Sequence, residues 1–580
     1  MSADRAVPTP APSDMPSFAI VVDGQEIPPG LHILSITVTK MVNRISSAKI
    51  TLLDGDPAQE DFPASNTDLF VPGKRIEIRA GYHSSNAAIF AGIIIKHGLR
   101  VRNGKPSLLQ IECRHEAVRM TGERKTACFR DSLDSDAFDT IMGRYGLDKE
   151  IEASSVQHEE LVQFCSTDWD FIVTRAEVNG MFVFTNDGSV AIKKPDFSGD
   201  PVISLLYGAT ILEFDAEMDA RTQIPSATAK AWDISGQELR SSENSDIPVT
   251  APGNIGSEDL ADVMGMETMT LRHTGLRPGQ ELRAWADAQT LRSRLTKAQG
   301  RVRFTGFSGV NPGDMIELGG VGNRFNGRAL VTGVRHELGS GLWTTDAQFG
   351  LSPRWFIEEN SVSQPPASGL LPSVSGLQIG VVLQLQDDPA GEERVLVQMP
   401  LVSEEGIWAR VATVDAGAGR GSFFRPEIGD EVLLGFLNDD PRDGVVLGMF
   451  NSSAKPAPFQ AKDGNPEKGF VTRSGLRLVF NDEKKIITLE TPGGRVVTLD
   501  DDSGTVAIED GDGNRISMTS EGISLESPGT ISLKADGDIS IEGMNTSLKA
   551  GAQFKAEGSG GVEMSSSATA TIKGSLVQIN

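Results

Sequence analysis

The sequence predicts a mainly-β, multidomain chain that ends in a narrow needle of intertwined strands, and two observations carry most of that expectation. From Phe18 to about Ala117, short alternating runs (FAIVV, LSITVT, AKITLL, KRIEIRAG, IFAGIII, LLQIEC) are punctuated by Gly, Pro, Asn and Asp, the pattern of an antiparallel barrel or sandwich. From Leu476 onward, apolar pairs with one residue between them recur towards the end of the chain, which is an internal repeat. The 580 residues suit about four domains at roughly 150 residues each, enough for several cores without a disulfide or metal staple.

Taken in order, residues 1–17 (MSADRAVPTPAPSDMPS) read as a disordered tail without the apolar core of a signal peptide. Residues 18–358 carry two strand groups with helical spacing between them. Helices are expected at 133–148, at 167–180 with a Thr/Asp start and a glycine stop, and near 281–297. Strands return over 182–232 and again from RVRFTGF to WTTDAQFG, while 233–280 is polar and turn-rich. Residues 359–376 (ENSVSQPPASGLLPSVSG) form a Ser/Pro-rich linker. The strand-rich block 377–451 has the length of a five-stranded barrel, and 452–470 is a connector too short for another domain.

Residues 471–580 form the needle. The pairs include Leu476/Leu478, Ile487/Leu489, Val497/Leu499, Val506/Ile508, Ile516/Met518, Ile523/Leu525, Ile531/Leu533 and Ile539/Ile541. After a gap through Leu548 and Phe554 come Val562/Met564, Ala570/Ile572 and Val577/Ile579. An i, i+2 pair lies on one face of a short strand. Each pass therefore offers one or two inward apolar groups, worth roughly 1.5–3 kcal/mol each, against roughly 1–2 kcal/mol of backbone entropy per ordered residue. One chain alone has nothing to pack that stripe against. Three chains wound together place it on a common axis and leave no free edges. Ile508, Ile516, Ile523, Ile531, Leu533, Ile539, Ile541, Met564 and Ile572 are the expected axial residues. A flexible Gly/Ser-rich tail or a flat repeat sheet is the alternative.

Composition excludes several classes. Lys+Arg 54 against Asp+Glu 79 gives a net charge of −25, a poor basis for gripping nucleic acid or anionic lipid. Cys113, Cys128 and Cys165 are an odd number with no CxxC spacing, which suggests free thiols in a reducing compartment. The longest apolar run, Ala87–Ile95, is far below the ~20 residues of a membrane helix.

The block from Gly380 to Phe450 resembles the barrel of spike proteins from contractile injection machines, the phage tail spikes and the VgrG family of type VI secretion. The matching residues include Gly380-Val381-Val382, Asp388-Pro389, Arg394-Val395, Trp408-Ala409-Arg410-Val411 and Pro426-Glu427-Ile428-Gly429-Asp430-Glu431-Val432. Trp408, Arg410, Pro426, Glu427, Gly429, Asp430 and Glu431 form its most specific signature. Gly81-Tyr82, Gln163-Phe164, Thr167-Asp168-Trp169-Asp170-Phe171 and Tyr207-Gly208 are similar to the family's hub. The resemblance implies a hub of two tube-like β-barrels with a helical insertion, an OB-fold barrel, and a triple-stranded β-helix needle. It also implies a homotrimer whose six hub barrels mate with a sixfold inner tube of the Hcp type or a tube-initiating ring, surrounded by baseplate components. OB folds often bind nucleic acid or sugar. Here the acidic charge and the lack of aromatic/Arg interleaving favour a structural use.

No catalytic constellation, metal site or cofactor is expected. Asp168 and Asp170 are two apart on a helix and do not face each other, so Thr167/Asp168 is a helix start. AGAGRGS (416–422) lacks the GK[S/T] ending of a phosphate loop and reads as a barrel turn. His336-Glu337 and His158-Glu159-Glu160 lack a second histidine at zinc spacing. Asp500-Asp501-Asp502 and Asp510-Gly511-Asp512-Gly513 suit solvated turns better than calcium ligands. Only residues 452–470 fill the gap where some spikes carry a cell-wall hydrolase, and the sequence stops at Asn580, directly after a repeat pair. All seven histidines lie at or before His336, so a blunt needle end, Val577-Gln578-Ile579-Asn580, is expected to dock a separate PAAR-type tip protein. The expected function is a non-enzymatic structural spike. It is made in the cytoplasm, assembled into a baseplate, released without a signal peptide and in transient contact with a target membrane. The alternatives are a cell-wall-degrading spike enzyme and a carbohydrate-binding fiber or adhesin.

Overall fold

The alternating runs become strands that bury every second residue. The structure, a computed structural model, describes residues 15–402 and 404–579. Two compact units result, one reaching Ser375 and including Asn438–Pro441, the other formed by Gly376–Leu437 and the residues from Arg442 on. The first unit opens with β1 (Ser17–Val22), β2 (Gln25–Glu26), β3 (Ile33–Met41), β4 (Arg44–Leu53), β5 (Arg75–Tyr82), β6 (Ser85–Arg102) and β7 (Lys105–Arg114). Ser17, expected in the tail, is the first residue of β1; residues 1–14 lie outside the described residues.

The helical insertion follows as β8 (Arg124–Leu133), α1 (Asp134–Gly143), β9 (Asp148–Ile151), β10 (Gln157–Thr167), α2 (Asp168–Val178), β11 (Phe182–Asn186) and β12 (Ser189–Lys193). Helix α2 starts where the sequence places it: Thr167 Oγ1 accepts the Asp170 N–H at 3.0 Å, and Gly180 takes a left-handed φ of +67° just past its end. Then come β13 (Ile203–Leu206), β14 (Ile211–Met218), β15 (Ala227–Asp233), β16 (Glu238–Glu243), α3 (Ser257–Met264), β17 (Met269–His273), α4 (Gly279–Leu295), β18 (Ala298–Thr305), β19 (Met315–Gly319), β20 (Gly327–Gly339), β21 (Leu342–Phe349) and α5 (Phe356–Glu359). The polar stretch 233–280 thus holds β16, α3 and β17 rather than turns alone. Helix α3 buries only Ala261, and β17 is ordered by parallel pairing with β15, so neither shows a strong local period.

The two β groups, expected as separate tube-like barrels, share one 13-stranded sheet, in the order β14-β18-β21-β20-β3-β4-β7-β6-β5-β1-β2, with β13 and β19 attached at β20. The join is the antiparallel pair β20–β3, with Val334 opposite Lys40 and His336 opposite Val38. One face of the sheet is a core, with Ile36, Val38, Ile50 and Ile111 on one side of the join and Val302, Phe304, Val334 and Phe349 on the other.

In the second unit, β22 (Gln378–Gln384), β23 (Val395–Gln398), β24 (Ile407–Val411), β25 (Ala416–Gly417), β26 (Arg420–Gly421), β27 (Glu431–Phe436) and β28 (Gly444–Met449) come first. A closed barrel β22-β23-β24-β28-β27 wraps a core of Val382, Val395, Val397, Ala409, Val432, Leu434 and Val446. After it, β29 (Glu467–Val471), β30 (Arg477–Asn481), β31 (Ile486–Glu490), β32 (Val496–Asp500), β33 (Thr505–Glu509), β34 (Arg515–Thr519) and β35 (Gly522–Glu526) pair in sequence order. The sheet begins inside the segment read as a connector. Every pair in it is antiparallel, so within one chain this part is a meander, where an intertwined helix is expected. Residues 527–579 form no strand with their own chain.

Two buried ionic centres tie the first unit together. Arg292 of α4 donates to Glu177 of α2 and to the carbonyls of Ser352 and Arg354, with its guanidinium 4.9 Å from the Trp355 ring. Glu177 also accepts from Asn43 Nδ2 at 2.8 Å and from the Phe356 N–H at 2.7 Å. Four segments meet on one carboxylate. Arg292→Met would strand a buried charge, and the expected loss is about 3–5 kcal/mol, read as a lower melting transition of this unit by calorimetry.

The other centre sits at the join. Lys40 Nζ donates to Asp187 Oδ1 at 2.6 Å and to Asn311 Oδ1 at 2.8 Å. Nearby, His336 is 1% exposed, with Nδ1 2.9 Å from Thr345 Oγ1 and Nε2 without a partner among the described residues. Burial, then the charge of Lys40, pushes the His336 imidazole down to about 3, and burial lowers His115 as well. The folded His336 ring therefore stays neutral down to about pH 3. Below about pH 6.5 the unfolded chain binds protons that the folded chain refuses, so stability falls with falling pH. From about pH 6.5 towards 3, His336 alone is expected to contribute a slope of about 1.4 kcal/mol per pH unit. Melting curves of wild type and His336→Gln between pH 7 and 4.5 check this, the variant showing the shallower dependence.

Candidate functional site

The barrel signature is a turn with structural reasons for its residues. Gly429 takes φ +83°, a conformation that favours glycine; its N–H donates to the Val382 carbonyl at 2.7 Å. Asp430 Oδ2 accepts the Glu427 N–H at 2.9 Å, and Asp430 N–H donates back to the Glu427 carbonyl at 3.0 Å. Lys455 reaches both the Gly429 carbonyl and the Asp430 carboxylate. Pro426 leads into this turn, and Glu431 begins β27 with its carbonyl accepting from the Phe450 N–H. On β24, Ala409 points into the core, so the flanking Trp408 and Arg410 lie on the outer face. Asp388 holds another loop. Its carboxylate takes the Arg394 guanidinium and the N–H groups of Ala390, Glu392 and Arg394, and Arg394 first, then those backbone donors, keeps it well below the usual carboxylate range. AGAGRGS forms the β25–β26 hairpin.

The needle sheet sorts its side chains into rows. Phe470, Leu478, Leu489, Val497, Ile508, Ile516 and Leu525 stand opposite one another across successive strands. Phe480, Ile487, Leu499, Val506, Met518 and Ile523 make a parallel row. Both rows lie on one face, because each pair is spaced by two. The opposite face carries Val479, Thr488, Thr498, Ala507, Ser517 and Ser524 between the strand ends. The apolar face is open in the single chain: Ile523 is 71% exposed. Of the expected axial residues, Ile508, Ile516 and Ile523 are placed together on this sheet. Ile531, Leu533, Ile539, Ile541, Met564 and Ile572 lie in the strandless stretch beyond it and are likewise exposed. Val577, Gln578 and Ile579 are exposed; Asn580 lies outside the described residues.

One cluster escapes the sequence reading. Phe424 of the barrel stacks on Phe470 of β29 at 5.3 Å, and Arg425 sits 5.3 Å from the Phe423 ring. The triplet Phe423-Phe424-Arg425 was the signal, an aromatic–arginine interleaving on an otherwise structural barrel. Phe424 belongs to the hand-over between barrel and needle sheet.

The residues weighed for chemistry are engaged elsewhere. Asp168 is buried and accepts from Lys125 Nζ, Tyr145 Oη and Gln163 Nε2. His158 Nε2 lies 3.0 Å from Asp134, which Arg175 grips with two nitrogens. A cleft of about 830 Å³ beside them is bordered by Arg240, Arg277 and Glu281, but Arg240 is held by Asp233 and Arg277 and Arg175 share Glu281. Asp500 and Asp510 accept from backbone N–H groups of their own turns. Among the described residues, no three His, Cys, Asp or Glu side chains group as metal ligands would, and all three cysteines are free.

Comparison with known proteins gives the same picture as the motifs. Residues 378–450, the closed barrel, match the type VI secretion system/phage-baseplate injector OB domain. The type VI secretion system spike proteins VgrG1b and VgrG1a of Pseudomonas aeruginosa are 28% and 26% identical over 231 residues. Each match covers 35% of this chain, and 30% and 35% of the respective relative; the chain thus spans about a third of their length. Among solved structures, the E. coli c3393 protein, a component of the type VI secretion system with structural similarity to T4 bacteriophage tail proteins gp27 and gp5, aligns with a TM-score of 0.38 at 13% identity. That alignment covers 74% of this chain and 99% of the other. Residues 12–340, more than half of the sequence, match the Alg8 N-terminal domain, and the chain therefore belongs to the Alg8 N-terminal domain family.

Proposed function

We propose that this chain is the structural spike of a contractile injection system, of the phage tail-like or type VI secretion class, working as a homotrimer. The observation that carries the reading is the pair of apolar rows on β29–β35, which are in register over the whole sheet and, beyond the stacking of Phe424 on Phe470, largely open to solvent in the single chain. Exposed patches of that size mark interaction surfaces. The injector-type barrel and the likeness to VgrG spikes supply the class of machine.

Under this reading the first unit is the hub, its two β groups per chain acting as two tube-like barrels that meet an Hcp-type inner tube or tube-initiating ring. The barrel joins hub to needle, and the residues beyond β35 wind around two other copies as a triple-stranded β-helix. The axis is lined by the residues from Ile508 to Ile572 named above, and Val577 to Asn580 form the blunt end that takes a PAAR-type tip. The protein is made in the cytoplasm, built into a baseplate and driven through a target membrane. Its work is mechanical and uses no catalytic group.

The test is mass. Full-length protein is expected at about three times 62.0 kDa by light scattering. Ile508→Asp sets a carboxylate in the stripe of every copy, where desolvation costs several kcal/mol per ion. It should lower the melting midpoint by about 4 °C or more, or break the trimer. A monomeric wild type, or a variant with unchanged mass and midpoint, would sink the reading.

A further inference from the structure

The 13-stranded sheet leaves two strand flanks unpaired, and they complement each other. Strand β14 ends the sheet and pairs only with β18. Strand β6 changes partner along its length: Ser85–Ile93 pairs with β5, whereas Ile93–Arg102 pairs with β7. Beyond Ile94, whose N–H and carbonyl bond to Lys74 and Gly73, the outer flank of β6 has no strand beside it. Unpaired flanks of this length invite another chain.

Their charges are opposite. The free part of β6 and its turn carry Lys96, Arg100, Arg102 and Lys105, none of which makes an ion pair or side-chain hydrogen bond with the described residues. In a chain of net charge −25, four unpaired cations in one hairpin stand out. The free strand β14 carries Glu213, Asp215 and Glu217 on one face. Behind them the polar face alternates in sign: Glu213 stands opposite Arg303, Arg303 opposite Asp346, and Asp346 opposite Arg335. At the other end Lys49 stands opposite Glu112, and Glu112 opposite Lys96. Lys96 is the last cation of that alternation, and an acidic strand is what continues it. The reverse face agrees. On β6, Leu99 and Val101 are 46% and 65% exposed, and on β14 Phe214 and Ala216 face the core side, so apolar meets apolar when polar meets polar.

We propose that the basic flank of β6 in one copy adds onto the acidic strand β14 of the next copy, making these two edges the hub's copy-to-copy interface. Within one chain β6 and β14 stand at opposite ends of the run β14-β18-β21-β20-β3-β4-β7-β6 and do not pair. A head-to-tail contact of this kind closes into a ring when rotation permits, so the proposal rests on the homotrimer reading.

Amide hydrogen exchange on the full-length protein, with its mass measured in parallel, tests it. In wild type, residues 95–102 and 211–218 should both be protected. Arg100→Glu/Arg102→Glu, which removes no contact within the chain, should speed exchange at 211–218 roughly tenfold or more while the mass stays trimeric through the needle. A trimer in which 211–218 exchanges identically in both proteins, or is unprotected in wild type, overturns the strand addition and leaves the trimer standing. A monomeric wild type overturns both.

Discussion

The period of two in the needle strands is the constraint on which the rest depends. A strand five residues long with apolar side chains at its second and fourth positions has one apolar face by geometry. Six tight turns then stack six such strands, β30–β35, onto β29, which adds Phe470 but carries Lys468 at its second position, so that the faces coincide. A register slip of one residue at any turn would throw a pair to the polar side. Gly, Asp and Asn at the turns fix the register locally: Asp510 accepts the N–H groups of Asp512 and Asn514, and Gly513 takes φ +89°. The price of so regular a ladder is that its apolar face has no roof. A globular chain would fold a helix over it, and no helix forms among the described residues after Glu526.

The hub answers the same constraint differently. Its sheet covers its apolar face with its own loops and insertion, and it keeps charges on the other face by pairing them across strands. Such cross-strand pairs contribute little each, roughly 0.2–1 kcal/mol, yet their order along the sheet is informative because an unpaired sign at an edge is a demand for a partner. The buried centres at Lys40 and Glu177 do another job. Lys40 anchors the β11–β12 turn, through Asp187, against the β20–β3 join, and Glu177 anchors α2 against α4 and α5. The helical insertion is therefore fixed to the sheet at two points by desolvated charge, which tolerates displacement poorly.

What the sequence reveals follows how local each cause is. The caps of α2, the turn at Gly429-Asp430, the AGAGRGS hairpin and the paired needle strands all arise from residues a few positions apart, and each is legible. The join of β20 to β3 brings together residues almost three hundred apart, and no local pattern announces it, so two β groups read as two separate bodies. Helix α3 and strand β17 bury too little to show a period. The direction of needle pairing was also hidden, since an apolar pair every eight to ten residues is equally compatible with a meander and with a chain that winds around others. Phe424 was legible as an aromatic but not as a stacking partner of Phe470, forty-six positions on.

Meander and winding are compatible within one needle: strand pairing within the chain ends at Glu526, and the proposed winding lies beyond it. Through Glu526 the turns contain Pro-Gly-Gly, Asp-Gly-Asp-Gly and Glu-Gly, which reverse a strand within two to five residues, and each strand finds its neighbour in the same chain. Past Ser527-Pro528-Gly529 the pairs recur about every eight residues, and no strand pairs within the chain. Backbone groups left unpaired by their own chain must find partners elsewhere. The same two-residue stripe continues across that boundary, so in the proposed trimer a single apolar axis would run beneath two backbone arrangements. In the proposed trimer such a shaft would resist bending in its first part through hydrogen bonds within each chain and in its second through bonds between chains, while the packing along the axis stays the same.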